Sequence, residues 1–407
     1  MRILFLSDDF PPDSAGGASI VAYRLAKGLS QLGNEVHVVT TTRNRNRCGQ
    51  EIRQGLTVHS VYSNYPLRYR SYRSLYNPQV VSKVRAIIRE VRPDIVHAHN
   101  VHMYLTFYSL KVARDLKIPC VLTTHDYMLF CATKFTCSNG RTDYKPSLLD
   151  CIRCQGCYYF PLRNLIIKQY VNKYVQKIVT VSKAVEAALS YNGFNNIETI
   201  YNGINPVAFP SGSEQLKDEY GIRGRKVIFH SGRLSYHKGS GQLVKAMPYI
   251  LDKIDAVLLL AGTRNSFTDY LETLSAELGV QDNVFLLGWQ DEDDMMKIYH
   301  MCDVCVTPSL YSDPFPTTNM EAMAMKKPVV GTCFGGTPEI VVDGKTGYIV
   351  NPLNEAQLAE RITDILTDEP KAKDMGNKGY EQVLAKFTVD IQVKETMRLY
   401  EEIRIAK

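Results

Sequence analysis

The sequence predicts an α/β protein made of two successive doubly wound domains, each a parallel sheet with helices on both faces. Short apolar runs alternate with amphipathic stretches of helical length along the first half of the chain. A segment rich in turn residues and charges, residues 206–226, then interrupts the alternation and predicts a linker. The same alternation restarts after this segment, which indicates a second domain of the same kind.

The first predicted domain spans residues 1–205. Its predicted strands are Ile3–Ser7, Val36–Thr41, Leu56–Val61, Ile95–Ala98, Cys120–Thr124, Ile178–Ser182 and Ile197–Tyr201. Its predicted helices are Ala18–Leu32, Pro78–Val91, Tyr104–Leu116, Pro161–Tyr174 and Lys183–Tyr191. Because helices separate most of these strands, the strands are expected to pair in parallel. A cysteine-rich insertion at residues 127–160 has no clear periodicity of apolar residues.

The second predicted domain spans residues 227–385. Its predicted strands are Val227–His230, Ala256–Ala261, Val284–Leu287, Val304–Thr307, Val329–Thr332 and Gly347–Val350. Its predicted helices are Ser240–Leu251, Phe267–Leu278, Asp291–His300, Thr317–Lys326 and a short one after Pro338. The amphipathic tail continues as helix, and residues 386–407 are predicted to cross back onto the first domain.

Composition narrows the class of protein. With 407 residues, 45% hydrophobic and 22% charged, the chain has the composition of a globular protein. Its apolar runs are far shorter than the about 20 residues of a membrane-spanning helix. The start MRILFLSDDF predicts a first strand rather than a signal peptide, so we expect a cytosolic protein. The ten cysteines are then expected to be thiols or metal ligands.

Charge is divided unevenly along the chain. Residues 1–210 hold 26 Lys and Arg against 13 Asp and Glu, while residues 211–407 hold 22 against 29. Basic clusters occur at Arg43–Arg47, Leu67–Tyr76 and Lys83–Arg92. An anionic membrane surface, a phosphorylated acceptor or nucleic acid fits them, as does a solvated basic face. Tyrosines within Leu67–Tyr76 favour the inner face of the cell membrane, with the protein bound peripherally.

The stretch Thr307–Met325 carries two carboxylates after a predicted strand. Asp313 and Glu321 cannot share one helix, because prolines 314 and 316 lie between them. We expect a loop with Asp313, then a helix with Pro316 at its first position, Thr317 and Thr318 able to cap it, and Glu321 in its first turn. Such a helix end favours phosphate. Alternatively, Asp313 is a turn residue and Glu321 complements the helix dipole.

Ligands of doubly wound sheets bind beyond the carboxyl ends of the strands, so two such domains are expected to share a cleft. Arg233 and Lys238 lie on a loop after a strand, where two cations are suited to bind a diphosphate. Alternatively, they form surface ion pairs. Gly17 precedes a helix and permits close approach of a phosphate, or simply a turn. In GGTPEIV, Thr337 is the expected N-cap and Pro338 the first helical position.

The insertion contains CIRCQGC, two overlapping C-x2-C pairs. In a reducing compartment, thiolates at this spacing indicate a structural zinc site, which takes four ligands. The favoured set of ligands is Cys131, Cys137, Cys151 and Cys154, with Cys157 as a substitute. Unliganded thiols or a redox disulfide remain alternatives.

These motifs together resemble a known family. SGRLSYHKG, then AG, LGW, DPFPTTNMEAMA, GGTPEIV and DGKTGYIV follow one another in the second domain. DDFPPDSAGG, DIVHAHN and TTHDY occur in the first. In this order they resemble the GT4-type retaining glycosyltransferases (glycosyl transferases group 1), whose GT-B fold has two Rossmann-like domains facing a central cleft. The resemblance covers nearly the whole chain.

The resemblance implies a nucleotide-diphosphate sugar as donor and an acceptor held by the first domain. It implies donor ribose binding by Glu321, and diphosphate binding by Arg233 and Lys238 with backbone groups near Thr317, Thr318 and Gly17. It also implies that Asp313 holds sugar hydroxyls and that His125 lies near the reacting centre. The family's first acid is typically Glu, so Asp313 is a departure that puts sugar placement in doubt.

The resulting expectation is a retaining hexosyltransferase that needs no catalytic metal and modifies a lipid-linked or saccharide acceptor in cell-surface polysaccharide or glycolipid synthesis. No nucleic acid partner is expected. A nucleotide-sugar 2-epimerase of the same fold and a catalytically weak donor-binding subunit remain alternatives.

Overall fold

The computed structural model describes residues 1–12, 16–133, 144–206 and 209–405. Contacts divide the chain into two compact units. The first unit comprises Met1–Ser138, Thr142–Gly203 and Val389–Lys407, and the second comprises Ile204–Thr388. The segment 206–226, expected as a linker, contains a short helix that belongs to the second unit.

The first unit is built on a sheet with the strand order β3-β4-β2-β1-β5-β6-β7-β8. Its strands are β1 (Arg2–Leu6), β2 (Glu35–Thr42), β3 (Gly49–Arg53), β4 (Leu56–Tyr62), β5 (Ile95–Ala98), β6 (Cys120–Thr124), β7 (Lys177–Thr180) and β8 (Ile197–Thr199). Its helices before the second unit are α1 (Gly17–Gln31), α2 (Arg70–Arg73), α3 (Pro78–Val91), α4 (Tyr108–Asp115), α5 (Leu148–Gln155), α6 (Arg163–Tyr174) and α7 (Lys183–Tyr191). All strand pairs are parallel except β3 with β4.

The second unit is built on a sheet with the strand order β11-β10-β9-β12-β13-β14, paired in parallel throughout. Its strands are β9 (Lys226–Ser231), β10 (Ala256–Ala261), β11 (Val284–Gly288), β12 (Val304–Thr307), β13 (Val329–Thr332) and β14 (Gly347–Val350). Its helices are α8 (Ser213–Glu219), α9 (Ser240–Leu251), α10 (Ser266–Glu277), α11 (Glu292–Met301), α12 (Thr317–Ala324), α13 (Thr337–Ile340), α14 (Glu355–Thr367) and α15 (Glu369–Lys386).

The last helix, α16 (Val389–Ile405), completes the core of the first unit. Its Val389 and Val393 belong to the same buried cluster as Leu25 and Leu29 of α1. The two helices approach closely at Gly28, where an added Cβ would lie 2.6 Å from a methyl carbon of Val393. Each fully buried side chain of this size contributes about 1.5–3 kcal/mol to folding.

The order of the second sheet decides which loops meet. Strands β9, β12 and β13 are adjacent and parallel, so their carboxyl ends share one edge of the sheet. The loops that follow them, residues 232–239, 308–316 and 333–336, therefore lie side by side. These are the loops that carry most of the predicted donor-site residues.

Four of the elements named above were not predicted from the sequence: the antiparallel edge strand β3 and the helices α2, α5 and α8. The strand β3 is almost wholly exposed, so it has no apolar pattern. The helix α5 is a single capped segment inside the cysteine-rich insertion, where Ser147 and Asp150 form a capping box. In the described part of the chain, no helix has the length and apolar character needed to cross a membrane.

Candidate active site

Lys238 and Asp313 form a close ion pair at the edge shared by β9 and β12. Lys238 Nζ donates to Asp313 Oδ2 at 2.5 Å. The following residue, Gly239, has a left-handed backbone, and an added Cβ would lie 1.9 Å from the carbonyl oxygen of Pro308. Only glycine allows this contact, so the chain holds the turn that carries Lys238 directly against the loop that leads to Asp313.

The ion pair is largely shielded from solvent. The side chain of Asp313 is 8% exposed and that of Lys238 is 27% exposed. Burial lowers the pKa of Lys238, but the carboxylate of Asp313 and the hydroxyl of Tyr311 outweigh burial, and the net pKa is raised above its ordinary value. Lys238 is therefore cationic at neutral pH. Its three N–H donors allow one to face a ligand while the others face Asp313 and Tyr311.

Two glycines fix the backbone of Asp313 from the opposite side. Gly335 has a φ of +68°, and an added Cβ would lie 2.2 Å from the carbonyl oxygen of Asp313. The N–H of Gly336 donates to that same oxygen at 2.8 Å. The expected N-cap was Thr337, but the cap is Gly336, without a side-chain hydrogen bond. The side chain of Thr337 instead packs toward Gly331, where an added Cβ would lie 2.5 Å from its methyl carbon.

The helix α12 begins at Thr317, and its N-cap is Pro316 rather than a threonine. The capping prediction for Thr317 and Thr318 was therefore wrong, since no side chain caps this helix and both threonines lie inside it. Glu321 lies in the second turn instead of the first, because the helix starts four residues before it. In the first turn, the N–H of Asn319 donates to the carbonyl oxygen of Pro316 at 3.2 Å. An anion suits the N–H groups of Thr317 and Thr318, which precede it.

Glu321 is held by a residue that the sequence analysis missed. The hydroxyl of Tyr299 on α11 donates to Glu321 Oε2 at 3.1 Å and lies 2.8 Å from Ser231 Oγ. Since its proton faces the carboxylate, Tyr299 accepts from Ser231. Tyr299 is 1% exposed, whereas Glu321 is half-buried. The buried hydroxyl thus orients a carboxylate that still reaches solvent.

Arg233 and Gly17 are less constrained. The side chain of Arg233 is exposed and forms no ion pair or hydrogen bond with another described residue, so its guanidinium can accept an anionic ligand. Gly17 is the first residue of α1, and an added Cβ would meet no atom within 4 Å. Packing in the first unit therefore does not require a glycine at this position.

His125 follows β6 in the first unit and lies beside a second histidine. His125 Nε2 is 2.9 Å from His99 Nδ1, and the two rings stack at 5.2 Å. Burial holds the pKa of His99 well below its ordinary value, so His99 is neutral. His99 Nε2 has no hydrogen-bond partner among the described residues. Because an unpartnered buried N–H is costly, the proton belongs on His99 Nδ1, which donates to His125.

Asp8 is a second residue that the sequence analysis missed. Its buried carboxylate accepts the backbone N–H groups of Met103, Tyr104 and Leu105 at 2.5–2.9 Å. Burial raises the pKa of Asp8 to about 7, against the lowering effect of these three hydrogen bonds. Its backbone oxygen also accepts from Thr41. Asp8 therefore joins the ends of β1 and β2 to the 103–105 loop.

The four-thiolate zinc site receives no support from the described residues. They contain no group of three or more His, Cys, Asp or Glu side chains that could hold a metal ion. Cys131 and Cys151 are buried thiols, Cys154 and Cys157 are exposed, and Cys137 lies outside the described residues. The buried guanidinium of Arg163 interacts electrostatically with both buried thiols, and its charge opposes a cation there.

Comparison with known proteins agrees with this architecture. A model of glycosyl transferases group 1 matches residues 212–382, and a model of glycosyltransferase family 4 matches residues 15–207. An uncharacterized glycosyltransferase of Methanocaldococcus jannaschii is 28% identical over 414 residues, 98% of each chain. The N-acetyl-alpha-D-glucosaminyl L-malate synthase of Bacillus anthracis is 26% identical and covers 96% of this chain and 95% of its own.

Solved structures show the fold. Sucrose-phosphate synthase from Thermosynechococcus elongatus has a TM-score of 0.80 at 23% identity and covers 100% of both chains. Anabaena HepE, solved with UDP and glucose, has a TM-score of 0.75 at 20% identity and covers 99% of this chain and 100% of its own. The two family models, the glycosyltransferase relatives and this fold agree. The chain therefore belongs to the GT4-type glycosyltransferases of the GT-B fold.

Proposed function

We propose that this glycosyltransferase is a retaining, metal-independent hexosyltransferase that uses a nucleoside-diphosphate sugar. The observation that carries the proposal is the set of groups at one edge of the second sheet: the Lys238–Asp313 pair, the exposed Arg233, the uncapped start of α12 and the oriented Glu321. The UDP and glucose bound by HepE support this class of donor.

Each group has a chemical role in this proposal. Arg233, Lys238 and the first-turn N–H groups at Thr317 and Thr318 bind the diphosphate and offset the charge that develops on it as it leaves. Glu321 accepts hydrogen bonds from the ribose hydroxyls. Asp313 accepts hydrogen bonds from hydroxyls of the transferred sugar. Lys238, which is paired with Asp313, also donates to the phosphate.

The configuration of the anomeric carbon is retained because the new bond forms on the face from which the phosphate leaves. The bond between the sugar's anomeric carbon and the phosphate oxygen breaks, and the acceptor oxygen bonds to the same face of that carbon. The acceptor proton passes to the leaving phosphate oxygen. No second carboxylate base is needed, unlike in a typical glycoside hydrolase. Two side-chain cations and a helix start supply the charge stabilisation that a catalytic metal supplies elsewhere.

We further propose roles for two residues of the first unit, His125 and Gly17. His125 accepts a hydrogen bond from His99 at Nε2, so its own N–H is at Nδ1, and we propose that His125 acts near the donor sugar. Gly17, at the start of α1, offers a backbone N–H to phosphate. The acceptor is lipid-linked or a saccharide, in cell-surface polysaccharide or glycolipid synthesis.

Incubation of the purified protein with a panel of nucleotide sugars tests the proposal. Transfer to an added acceptor, or slow hydrolysis of one donor, supports a transferase. An isomerised donor identifies a 2-epimerase instead. Binding of a donor without any turnover identifies a donor-binding subunit and contradicts the proposed activity.

The membrane face of the protein is proposed to be one surface of the first unit. The ring of Tyr69 contacts that of Tyr158 at 5.7 Å, which joins the basic segment Leu67–Tyr76 to α5 and the start of α6. Apolar side chains at least 37% exposed occur on both parts: Leu67, Tyr69, Tyr72, Tyr76, Leu148, Leu149, Ile152, Tyr158, Leu162 and Leu165. With arginines among them, this surface suits the anionic, cytosolic face of the cell membrane.

Cosedimentation with phosphatidylglycerol vesicles at low salt tests this location. Replacing Leu148 and Leu149 by serine, or reversing Arg68 and Arg73 to glutamate, should release the protein. Lys253→Glu, a charge reversal on the surface of the second unit, is the matched control. A wild-type protein that ignores these vesicles, or variants that bind as well as the control, would show that the proposed location is wrong.

A further inference from the structure

We infer that Tyr311 is a positioning residue for sugar transfer, which holds the carboxylate of Asp313 and the ammonium of Lys238 in one fixed arrangement. This inference rests on the proposed function, in which Asp313 binds the transferred sugar and Lys238 binds the diphosphate. It adds a third residue to the site, one that acts through the other two.

The ring of Tyr311 lies against the turn that carries Lys238. Tyr311 is on the loop that follows β12, two residues before Asp313. The centre of its ring is 5.5 Å from Lys238 Nζ and 6.3 Å from the centre of the His237 ring. At this distance the ring attracts the ammonium by a cation–π contact.

Backbone contacts join the same loop and turn without the hydroxyl of Tyr311. The N–H of Leu310 donates to the carbonyl oxygen of His237 at 2.8 Å. Gly239 lies directly against the carbonyl oxygen of Pro308. Loss of the hydroxyl should therefore leave the loop and the turn in place, so its effect on the ion pair can be measured separately.

The hydroxyl of Tyr311 interacts with both members of the ion pair. Hydrogen bonds link it to Lys238 and to Asp313. Because an ammonium can only donate and a carboxylate can only accept, the hydroxyl accepts from Lys238 and donates to Asp313. Burial and the carboxylate of Asp313 raise the pKa of Tyr311 above its ordinary value, so the phenol keeps the proton that it donates.

The three side chains form a closed triangle, because Lys238 Nζ also donates to Asp313 Oδ2 at 2.5 Å. Two donors fix the rotation of the Asp313 carboxylate, and its remaining lone pairs are available to hydroxyls of the sugar. Two of the three N–H groups of Lys238 are used in the same way, which leaves the third for the phosphate. Tyr311 thus sets the direction of both proposed donor contacts, and transfer depends on such alignment.

Donor turnover by Tyr311→Phe tests the inference, because phenylalanine keeps the ring and removes only the hydroxyl. With the nucleotide sugar that wild type uses, kcat should fall about tenfold, the value of one charged hydrogen bond, while UDP affinity changes by less than about twofold. Tyr236→Phe, at a tyrosine of the neighbouring turn that is 63% exposed, is the control and should behave as wild type does. An unchanged kcat in Tyr311→Phe, or an equal loss of UDP affinity, would overturn the inference.

A double-mutant cycle measured by chemical denaturation tests the contact without any donor. Tyr311→Phe should raise the equilibrium constant of unfolding about tenfold in the wild-type background. The same substitution should have a much smaller effect in the Asp313→Ala background, where the hydroxyl has lost its acceptor. Additive effects of the two substitutions would show that the hydroxyl does not hold Asp313, and would overturn the inference.

The two measurements separate the role of Tyr311 from the proposed function. A wild-type protein that turns over no nucleotide sugar contradicts the proposed function, and the cycle then still decides whether Tyr311 holds Asp313. A wild-type protein that turns over a donor, together with an additive cycle or an unaffected Tyr311→Phe variant, contradicts the role of Tyr311 alone.

Discussion

The carboxyl edges of the two sheets differ in how their charges are satisfied. In the second unit, Lys238 is paired with Asp313 and Glu321 with Tyr299, and glycines hold the supporting backbones in contact. In the first unit, Arg43 and Arg47 line a cavity together with Asp9. The guanidinium of Arg43 lies over the ring of Tyr104. Protein partners therefore fix the charged groups at the second unit's edge, whereas an aromatic ring positions the Arg43 guanidinium at the first unit's edge.

The strongest test of the paired edge is Asp313→Ala. It removes the acceptor of the sugar hydroxyls and leaves Lys238 without its partner, so transfer should fall by about a thousandfold, in the range of losing a key transition-state contact. Nucleotide binding, measured by titration with UDP, should persist. Asp252→Asn, an exposed site in the same unit, is the control. Equal losses in transfer and in UDP binding would contradict this division of roles.

Gly335→Ala tests how the backbone of Asp313 is held. The added Cβ meets the Asp313 carbonyl in a left-handed backbone, so the free energy of unfolding should fall by about 3 kcal/mol. Gly344→Ala is matched, because Gly344 has a φ of +70° with no atom within 4 Å of the added Cβ. It should cost about 1–2 kcal/mol. Equal costs in chemical denaturation would mean that the contact with Asp313 does not constrain the site.

The pH dependence of stability tests how Asp8 supports the carboxyl edge of the first sheet. Because its pKa is about 7 in the folded state and 3.8 ordinarily, the folded state binds this proton more tightly. Its contribution to stability is therefore complete below pH 4 and is lost as the pH rises through 7. Between pH 5 and 7 the free energy of unfolding should fall by about 2 kcal/mol from this group alone.

Asp8→Asn should remove that part of the pH dependence. Its amide also places an NH2 group against one of the three backbone N–H donors, so the variant should be less stable at pH 5 by about 1–3 kcal/mol. Denaturation curves of wild type and variant at the two pH values provide the measurement. Parallel pH dependence in the two proteins would mean that another group titrates.

Glu321→Ala gives the smallest expected effect, a weakening of UDP binding by about tenfold, the value of one charged hydrogen bond. Tyr299→Phe keeps the carboxylate but removes the hydroxyl that orients it, so its effect on UDP affinity should be smaller. If Tyr299→Phe weakens UDP binding more than Glu321→Ala does, Glu321 is not the principal contact with UDP.

The sequence predicted most of the fold, because parallel strands and amphipathic helices have distinct periods. It missed β3, whose exposed edge residues have no apolar alternation. It placed Lys238 and Asp313 on two loops, and Glu321 on the helix that follows the second loop, and the strand order does bring both loops to one edge. It could not predict that Lys238 pairs with Asp313, 75 residues away, or that Tyr299 holds Glu321, because neither contact leaves a local pattern.

The histidines and cysteines show the same limit. His125 was singled out from a motif, but its partner His99 lies on the loop after a different strand, β5, and only the pairing of β5 with β6 brings the two side chains together. The cysteine spacing suggested zinc, yet the helix α5 buries Cys151 and leaves Cys154 exposed. Spacing along a chain does not fix which side chains converge.

The most direct test of the difference between the two edges is a titration of UDP into three proteins: wild type, Glu321→Ala and Arg43→Gln/Arg47→Gln. We expect Glu321→Ala to weaken UDP binding by about tenfold and the double variant to bind UDP as wild type does. Wild-type affinity in Glu321→Ala, or loss of UDP binding in the double variant, would contradict the assignment of UDP binding to the edge of the second unit.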